Sequence, residues 1–341
     1  MAKDKEMDQA IQKLKDKRLQ AKSAAGEQKI REAHDKGLLT ARERVETLLD
    51  SNTFVEQYPF AETIGRDFGL KRFPGDGVVV GWGDIDRRRV YVTANESLIM
   101  GGSGSSTHIR KMCLTIDQAV KNGSPLIQLN DSSGGRIQEG ADKTSFAMSV
   151  FYSNTLASGV IPQITAILGR CAGYAVYGAA LTDFVFIVEG QGEMFITGPA
   201  IIREITGEEI TFDKLGGAKV CTEINGAADF LAKNEQECFQ QIRRLLSFFP
   251  SNCRELPPDM PNEDPVNRPV PELEDMVPSN PQRAYDIRRV IKAIVDEGDF
   301  MEAKPDFAKS LVTGFARMGG QSIGIVANQP MFLGGSLTVD S

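Results

Sequence analysis

Histidine is almost missing from this chain: 341 residues hold two, His34 and His108. That is too few for a His-rich metal centre, and no metal ligand set is expected. Cysteine is sparse and unpatterned. The five (Cys113, Cys171, Cys221, Cys238, Cys253) make an odd count with no C-x-x-C spacing. They read as reduced thiols of a cytoplasmic protein, not as a disulfide framework or a zinc site. No apolar run approaches the ~18–20 residues a membrane span needs, so direct membrane insertion is not expected. The charged opening MAKDKEMDQAIQKLKDKRLQ lacks the apolar core of a signal peptide. Excess positive charge is absent too: a net charge of −7 argues against nucleic acid as a partner. Also missing are the G-x-S-x-G elbow, H-E-x-x-H, the G-x-x-x-x-G-K-[ST] loop and the dinucleotide G-x-G-x-x-G.

What is present begins with an arm, residues 1–36, charge-rich with Met7, Ile11, Leu14 and Leu19 at helical spacing. Thr40 and Glu43 then form the sequence signature of a capping box. Residues 37–250 alternate strands with helices. The pattern predicts strands at 77–81, 90–93, 126–130, 163–168 and 184–188, and helices at 107–122, 141–158, 175–181, 227–232 and 235–249. Alternation of this kind means a parallel sheet with right-handed crossovers, an α/β fold. Residues 251–283 are rich in proline and read as an extended linker. A helix over 285–296 opens a last segment, 284–341.

That last segment repeats an earlier one. GWGDIDRRRVYVTANESLIMGGS at 81–103 aligns without a gap on GFARMGGQSIGIVANQPMFLGGS at 314–336. Gly81 meets Gly314, Ala94-Asn95 meets Ala327-Asn328, and Gly101-Gly102-Ser103 meets Gly334-Gly335-Ser336, always 314 − 81 = 233 residues apart. A constant offset argues for two copies of one domain-sized unit. The second copy is expected to be incomplete in this chain, because a counterpart of Gly173 would fall near position 406.

Two glycine-rich loops, Ser133–Arg136 and Gly169–Tyr174, sit where a strand gives way to a helix. Ligands of open α/β sheets bind outside the carboxyl ends of the strands. Backbone N–H groups at a helix start, aimed at an oxygen that gains charge, make an oxyanion hole. Asp131 and Glu139 flank Arg136 and are expected to lock its loop by ion pairs. Donors without an evident nucleophile point to chemistry on an activated thioester.

The runs LLTARERVETLLD, FPGDGVV, NDSSGGRIQEG, LASGVIPQI, GRCAGYAVYGAALTDF, FITGP, TGEEIT and LGGAKV resemble the carboxyltransferase (beta) subunits of biotin-dependent acyl-CoA carboxylases. The resemblance covers about residues 37–341. It implies a crotonase-like fold, repeated, with 37–250 as the N-terminal carboxyltransferase domain and 284–341 as the beginning of the C-terminal one. It also implies transfer of a carboxyl group between carboxybiotin and the α-carbon of a short acyl-CoA. Biotin would sit on a partner carrier protein, served by a biotin carboxylase subunit, and the chain would form a homo-oligomer. By resemblance the oxyanion pair falls on the backbone of Gly173 and Tyr174, and substrate contacts fall on Gly134, Gly135, Arg136, Ala172, Gly198 and Pro199. The family usually has Gly-Gly at 173–174 and Gly at 133, so Tyr174 and Ser133 are departures. A phenol there implies altered acyl specificity, a hydrogen bond to an unusual acyl group, or lost activity. Two other readings stand beside this one: the alpha subunit of a sodium-pumping acyl-CoA decarboxylase, and a non-catalytic assembly subunit. The chain alone is expected not to complete carboxyl transfer.

Overall fold

The computed structural model describes residues 2–64, 71–139, 142–265, 267–280 and 282–341. The charged N-terminal segment forms two helices, α1 (Ala2–Lys22) and α2 (Glu27–His34). Met7, Ile11, Leu14 and Leu19 are exposed, while Ala21 and Ala33 are buried. Helix α3 (Ala41–Leu48) starts at the expected box. The Thr40 hydroxyl accepts from the Glu43 N–H (3.3 Å), and the Glu43 carboxylate accepts from the Thr40 N–H (2.8 Å). A cap of this kind contributes ~1 kcal/mol.

The main sheet opens with β1 (Val55–Gln57), β2 (Val78–Ile85) and β3 (Arg88–Asn95), antiparallel to one another. Helix α4 (Ser106–Asn122), β4 (Leu126–Ser132), α5 (Asp142–Ala157), β5 (Gln163–Ala172), α6 (Tyr174–Ala180), β6 (Phe184–Val188) and β7 (Glu193–Phe195) follow. After α7 (Pro199–Thr206) and α8 (Phe212–Gly216) come β8 (Phe230–Ala232) and α9 (Glu235–Ser247). The strand order is β1-β2-β3-β4-β5-β6-β8, parallel from β3 onward, with β7 paired to the end of β5.

Side-chain alternation divides the core between the two faces. Val79, Val92, Ile127 and Leu129 pack with Val45 and Leu48 of α3 and with Cys238, Phe239, Ile242 and Leu245 of α9. Val78, Val80, Tyr91 and Leu126 pack with Ile109, Met112 and Ile116 of α4 and with Val150 of α5. Residues 227–232 are a strand at their end, not the expected helix. Phe230 stacks on Phe186 at 4.5 Å, and the Asp229 carboxylate takes the Val185 N–H (2.7 Å), so tertiary pairing overrides local propensity. The short strands β1 and β7 also lie outside the expected set.

Among its described residues the linker carries only α10 (Leu273–Met276), before α11 (Ile287–Ile294) and a three-stranded sheet of β9 (Phe300–Ala303), β10 (Leu311–Met318) and β11 (Gln321–Asn328). The repeat is structural as well as sequential. β10 and β11 are β2 and β3 displaced by 233, with the same register: Val78 faces Asn95, and Leu311 faces Asn328. Both hairpins turn on two residues of positive φ, Asp86-Arg87 (50°, 64°) and Gly319-Gly320 (61°, 81°), as a two-residue hairpin turn of this kind requires.

The repeat also reaches further back than the sequence shows. Helix α3 recurs as α11 at an offset of 287 − 41 = 246. Arg42 forks onto Glu56, and Arg288 forks onto Glu302 at the same spacing. Glu96 takes the Ala41 N–H (3.0 Å), and its counterpart Gln329 takes the Ile287 N–H (3.3 Å). A longer β1–β2 connection accounts for the change of offset.

Candidate active site

β4 and β5 are neighbours, and both glycine-rich loops leave their carboxyl ends. Pairing runs regularly from Leu126/Gln163 to Asn130/Ile167 and then shifts to Ser132/Cys171, a bulge that re-aims both chain ends. The loops touch: a methyl group built on Gly134 would lie 3.1 Å from the Ala172 carbonyl oxygen, and one on Gly173 would lie 3.7 Å from the Gly134 Cα. Gly173 precedes α6 at φ 57°, ψ −126°, a conformation that only glycine adopts readily.

The N–H of Gly173 donates to the Phe195 carbonyl (3.3 Å). One of the two expected oxyanion donors is thus paired to the end of β7. Among the described residues, the N–H groups of Tyr174 and Gly135 have no intramolecular acceptor. The free donors therefore come one from each loop.

Arg136 is not available to substrate. Its side chain is 2% exposed, and its guanidinium donates to Asp76 (2.6 Å), to the Ser103 carbonyl (3.0 Å) and to Glu139 (3.5 Å). Glu139 also accepts from the Ser106 N–H (3.0 Å) and from the Thr63 hydroxyl. The expected lock thus exists through Glu139 but not through Asp131. Asp131 instead pairs with Arg44 (3.0 Å), which also meets Glu235 (2.7 Å). Asp76 is the partner that sequence reasoning missed. It lies in the quoted FPGDG run, and the signal that could have found it was a lone acid between two glycines. Burial raises the Asp76 carboxyl above its ordinary range, against the pull of Arg136.

His108 is fully buried in the first turn of α4, with Nε2 at 3.0 Å from the Asn95 amide and Nδ1 at 3.2 Å from the Asp76 carbonyl. Burial, with Arg136 and Lys111 nearby, pushes its pKa down to about 3. A neutral, enclosed imidazole is no general base here. The buried thiols are equally inert, since burial pushes Cys113 and Cys221 up to about 11.

The Tyr174 ring does not stand free above the loop. It runs inward to Gly104, where a methyl group would lie 2.5 Å from its Oη and 2.8 Å from the ring. It joins the cluster that holds Ile109 and Met112. Its hydroxyl is buried and makes no hydrogen bond of good geometry, with the Ser132 side chain as its polar neighbour, and burial raises its pKa above the ordinary phenol value against the pull of Ser132. Ala172 is nearly buried at 8%. Gly198 caps α7, and Pro199 lines a cavity of about 590 Å³ with Ala200, Arg203, Glu209, Ile210, Thr211 and Phe212. That cavity shares no lining residue with the two loops.

The carboxyl transferase domain family matches residues 32–341. The chain belongs to the carboxyl transferase domain family. It is 44% identical over 337 residues to the propionyl-CoA carboxylase beta chain of Roseobacter denitrificans, covering 98% of this chain and 66% of that one. It is also 44% identical to the methylmalonyl-CoA decarboxylase subunit alpha of Propionigenium modestum, covering 97% and 64%. The transcarboxylase 12S structure with hydrolysed methylmalonyl-coenzyme A bound matches with a TM-score of 0.94 at 40% identity, over 97% of this chain and 64% of that one. The chain thus spans about two thirds of the length of these relatives. The fold is the crotonase-like fold of carboxyl transferases, as the resemblance implied. Among the described residues no helix is long and apolar enough to cross a membrane, and no His/Cys/Asp/Glu cluster could hold a metal.

Proposed function

We propose that this carboxyl transferase chain binds an acyl-CoA thioester for a biotin-dependent acyl-CoA carboxylase, acting as its carboxyltransferase component. The observation that carries the reading is the 44% identity to a propionyl-CoA carboxylase beta chain across 98% of this chain. The converging loops supply the chemistry. In this reading residues 37–250 hold the thioester and 284–341 carry the repeated hairpin of a second, similar unit.

The thioester oxygen accepts from the N–H groups of Gly135 and Tyr174. Charge builds on that oxygen when the α-carbon loses its proton, and each fixed donor is worth ~3–4 kcal/mol to such a state. Gly134 and Ala172 keep the loops in contact, and the Arg136 cluster holds the first loop rigid. Backbone donors with no competing side-chain acid also fit a ureido oxygen. Biotin, borne on a carrier partner and charged by a biotin carboxylase subunit, supplies the carboxyl group. The chain works in the cytoplasm as a homo-oligomer.

Calorimetric titration with propionyl-CoA, acetyl-CoA and free CoA tests this, with saturable binding of an acyl-CoA expected. No binding at millimolar concentration would sink the reading and favour a scaffold. The decarboxylase relative supports a second direction of transfer, from acyl-CoA to biotin. Methylmalonyl-CoA binding tighter than propionyl-CoA, with sodium-dependent turnover in the assembled complex, would favour it.

A further inference from the structure

Gly104 is hydrogen-bonded on both sides to the first glycine-rich loop. Its N–H donates to the Gly134 carbonyl (2.9 Å), and its carbonyl accepts from the Arg136 N–H (2.8 Å). The side chain pressed on Gly104 comes from the second loop: the phenol of Tyr174 lies where any Cβ on Gly104 would stand. The phenol hydroxyl makes no hydrogen bond of good geometry, with the Ser132 side chain as its polar neighbour, and a poorly bonded buried hydroxyl costs free energy. Shape more than polar bonding therefore holds the ring there. One residue thus carries a free backbone N–H on the second loop and a side chain that abuts the strand pairing of the first.

We propose that Tyr174 is a positioning residue: its ring, wedged against Gly104, fixes the spacing between the 131–136 and 169–174 loops. This rests on the acyl-CoA reading above. It replaces the idea that the phenol meets the acyl group directly, because the ring runs away from the loop surface into the core. Donors on two separate loops act together only if that spacing is held to a few tenths of an ångström. A wedge of fixed length does that.

The test is a cycle of four proteins: wild type, Gly104→Ala, Tyr174→Gly and the double variant. Each is titrated with propionyl-CoA and with free CoA, which lacks the thioester. Gly104→Ala drives a methyl into the ring and is expected to weaken propionyl-CoA at least tenfold while leaving CoA unchanged. Tyr174→Gly removes the wedge and is expected to weaken propionyl-CoA in the same selective way. The double variant, relieved of the overlap but also without the ring, is expected to bind no better than Tyr174→Gly. Gly104→Ala or Tyr174→Gly binding propionyl-CoA like wild type, or a double variant restored to wild-type affinity without the ring, overturns the proposal. Should Gly104→Ala not fold, Tyr174→Leu serves: it keeps an apolar filler but shortens the wedge. Loss confined to propionyl-CoA is then expected, and equal affinities overturn the wedge. A wild type that binds neither ligand takes down the acyl-CoA reading and the wedge with it; a wild type that binds while the variants do not respond takes down the wedge alone.

Discussion

Arg136 and Asp76 form an ion pair of 2.6 Å with side chains 2% and 1% exposed, tying the first glycine-rich loop to the FPGDG turn. Removing one partner strands the other charge away from water. Arg136→Met is therefore expected to cost ~3–5 kcal/mol, read as a shift of the urea midpoint at constant slope. Replacing both residues by apolar side chains should cost less than the single change, because the one carboxylate left without Arg136, Glu139, keeps the Ser106 N–H and the Thr63 hydroxyl. A double variant as unstable as Arg136→Met would show that the pair matters by shape alone.

His108 predicts a pH dependence of stability. Its folded pKa of about 3 lies below the ordinary 6.5, so the unfolded chain binds a proton that the folded one refuses. Above pH 6.5 the imidazole is neutral in both states and nothing is lost. As pH falls from 6.5 towards 3, stability drops, by roughly 2 kcal/mol at pH 5. His108→Asn should melt at a lower temperature at pH 7.5, yet lose less between pH 7.5 and 5. Parallel slopes in the two proteins would refute the assignment.

Tyr174→Phe removes a buried hydroxyl that makes no hydrogen bond of good geometry, with only the Ser132 side chain beside it, while keeping the wedge. The expected result is unchanged stability or a gain of up to ~1 kcal/mol, with propionyl-CoA affinity unaltered. A loss above ~1 kcal/mol in thermal unfolding would reveal a partner the hydroxyl uses.

Much of this was legible in the residues. Alternating apolar strands and helical periodicity placed β2 to β6 and α4 to α6, and Thr40 with Glu43 marked a helix start to the residue. Elements whose reason is a distant partner were hidden. β8 exists because β6 offers it an edge and Phe186 a ring to stack on. β1 and β7 are three residues each, too short for a period to show. The site was half legible. Glycine runs marked both loops, but nothing local says that Phe195 takes the Gly173 N–H or that Arg136 faces inward to Asp76. The repeat behaved in the same way. Identity at 81–103 and 314–336 gave the hairpin, whereas the Arg42–Glu56 and Arg288–Glu302 forks survive at another offset that a gapless comparison cannot see.

That duplication yields a paired test. At Gly81 and Gly314 an added methyl would overlap the carbonyl oxygens of Val55 and Met301, with Phe54 and Phe300 closing the same sides. Backbone cannot give way as a flexible side chain does, so Gly81→Ala and Gly314→Ala should each cost ~1–3 kcal/mol. Gly324 on β11 is the control: its φ lies outside the left-handed region, and an added methyl would meet nothing within 4 Å. There alanine narrows the unfolded ensemble without strain, and a gain of ~0.4–1 kcal/mol is expected. The discriminating measurement is the difference between Gly314→Ala and Gly324→Ala, which lie on partner strands of one hairpin and share every global property of the chain. Equal stabilities for those two would mean that β9 does not cross β10 at Met301, and the structural equivalence of the two hairpins would fail with it.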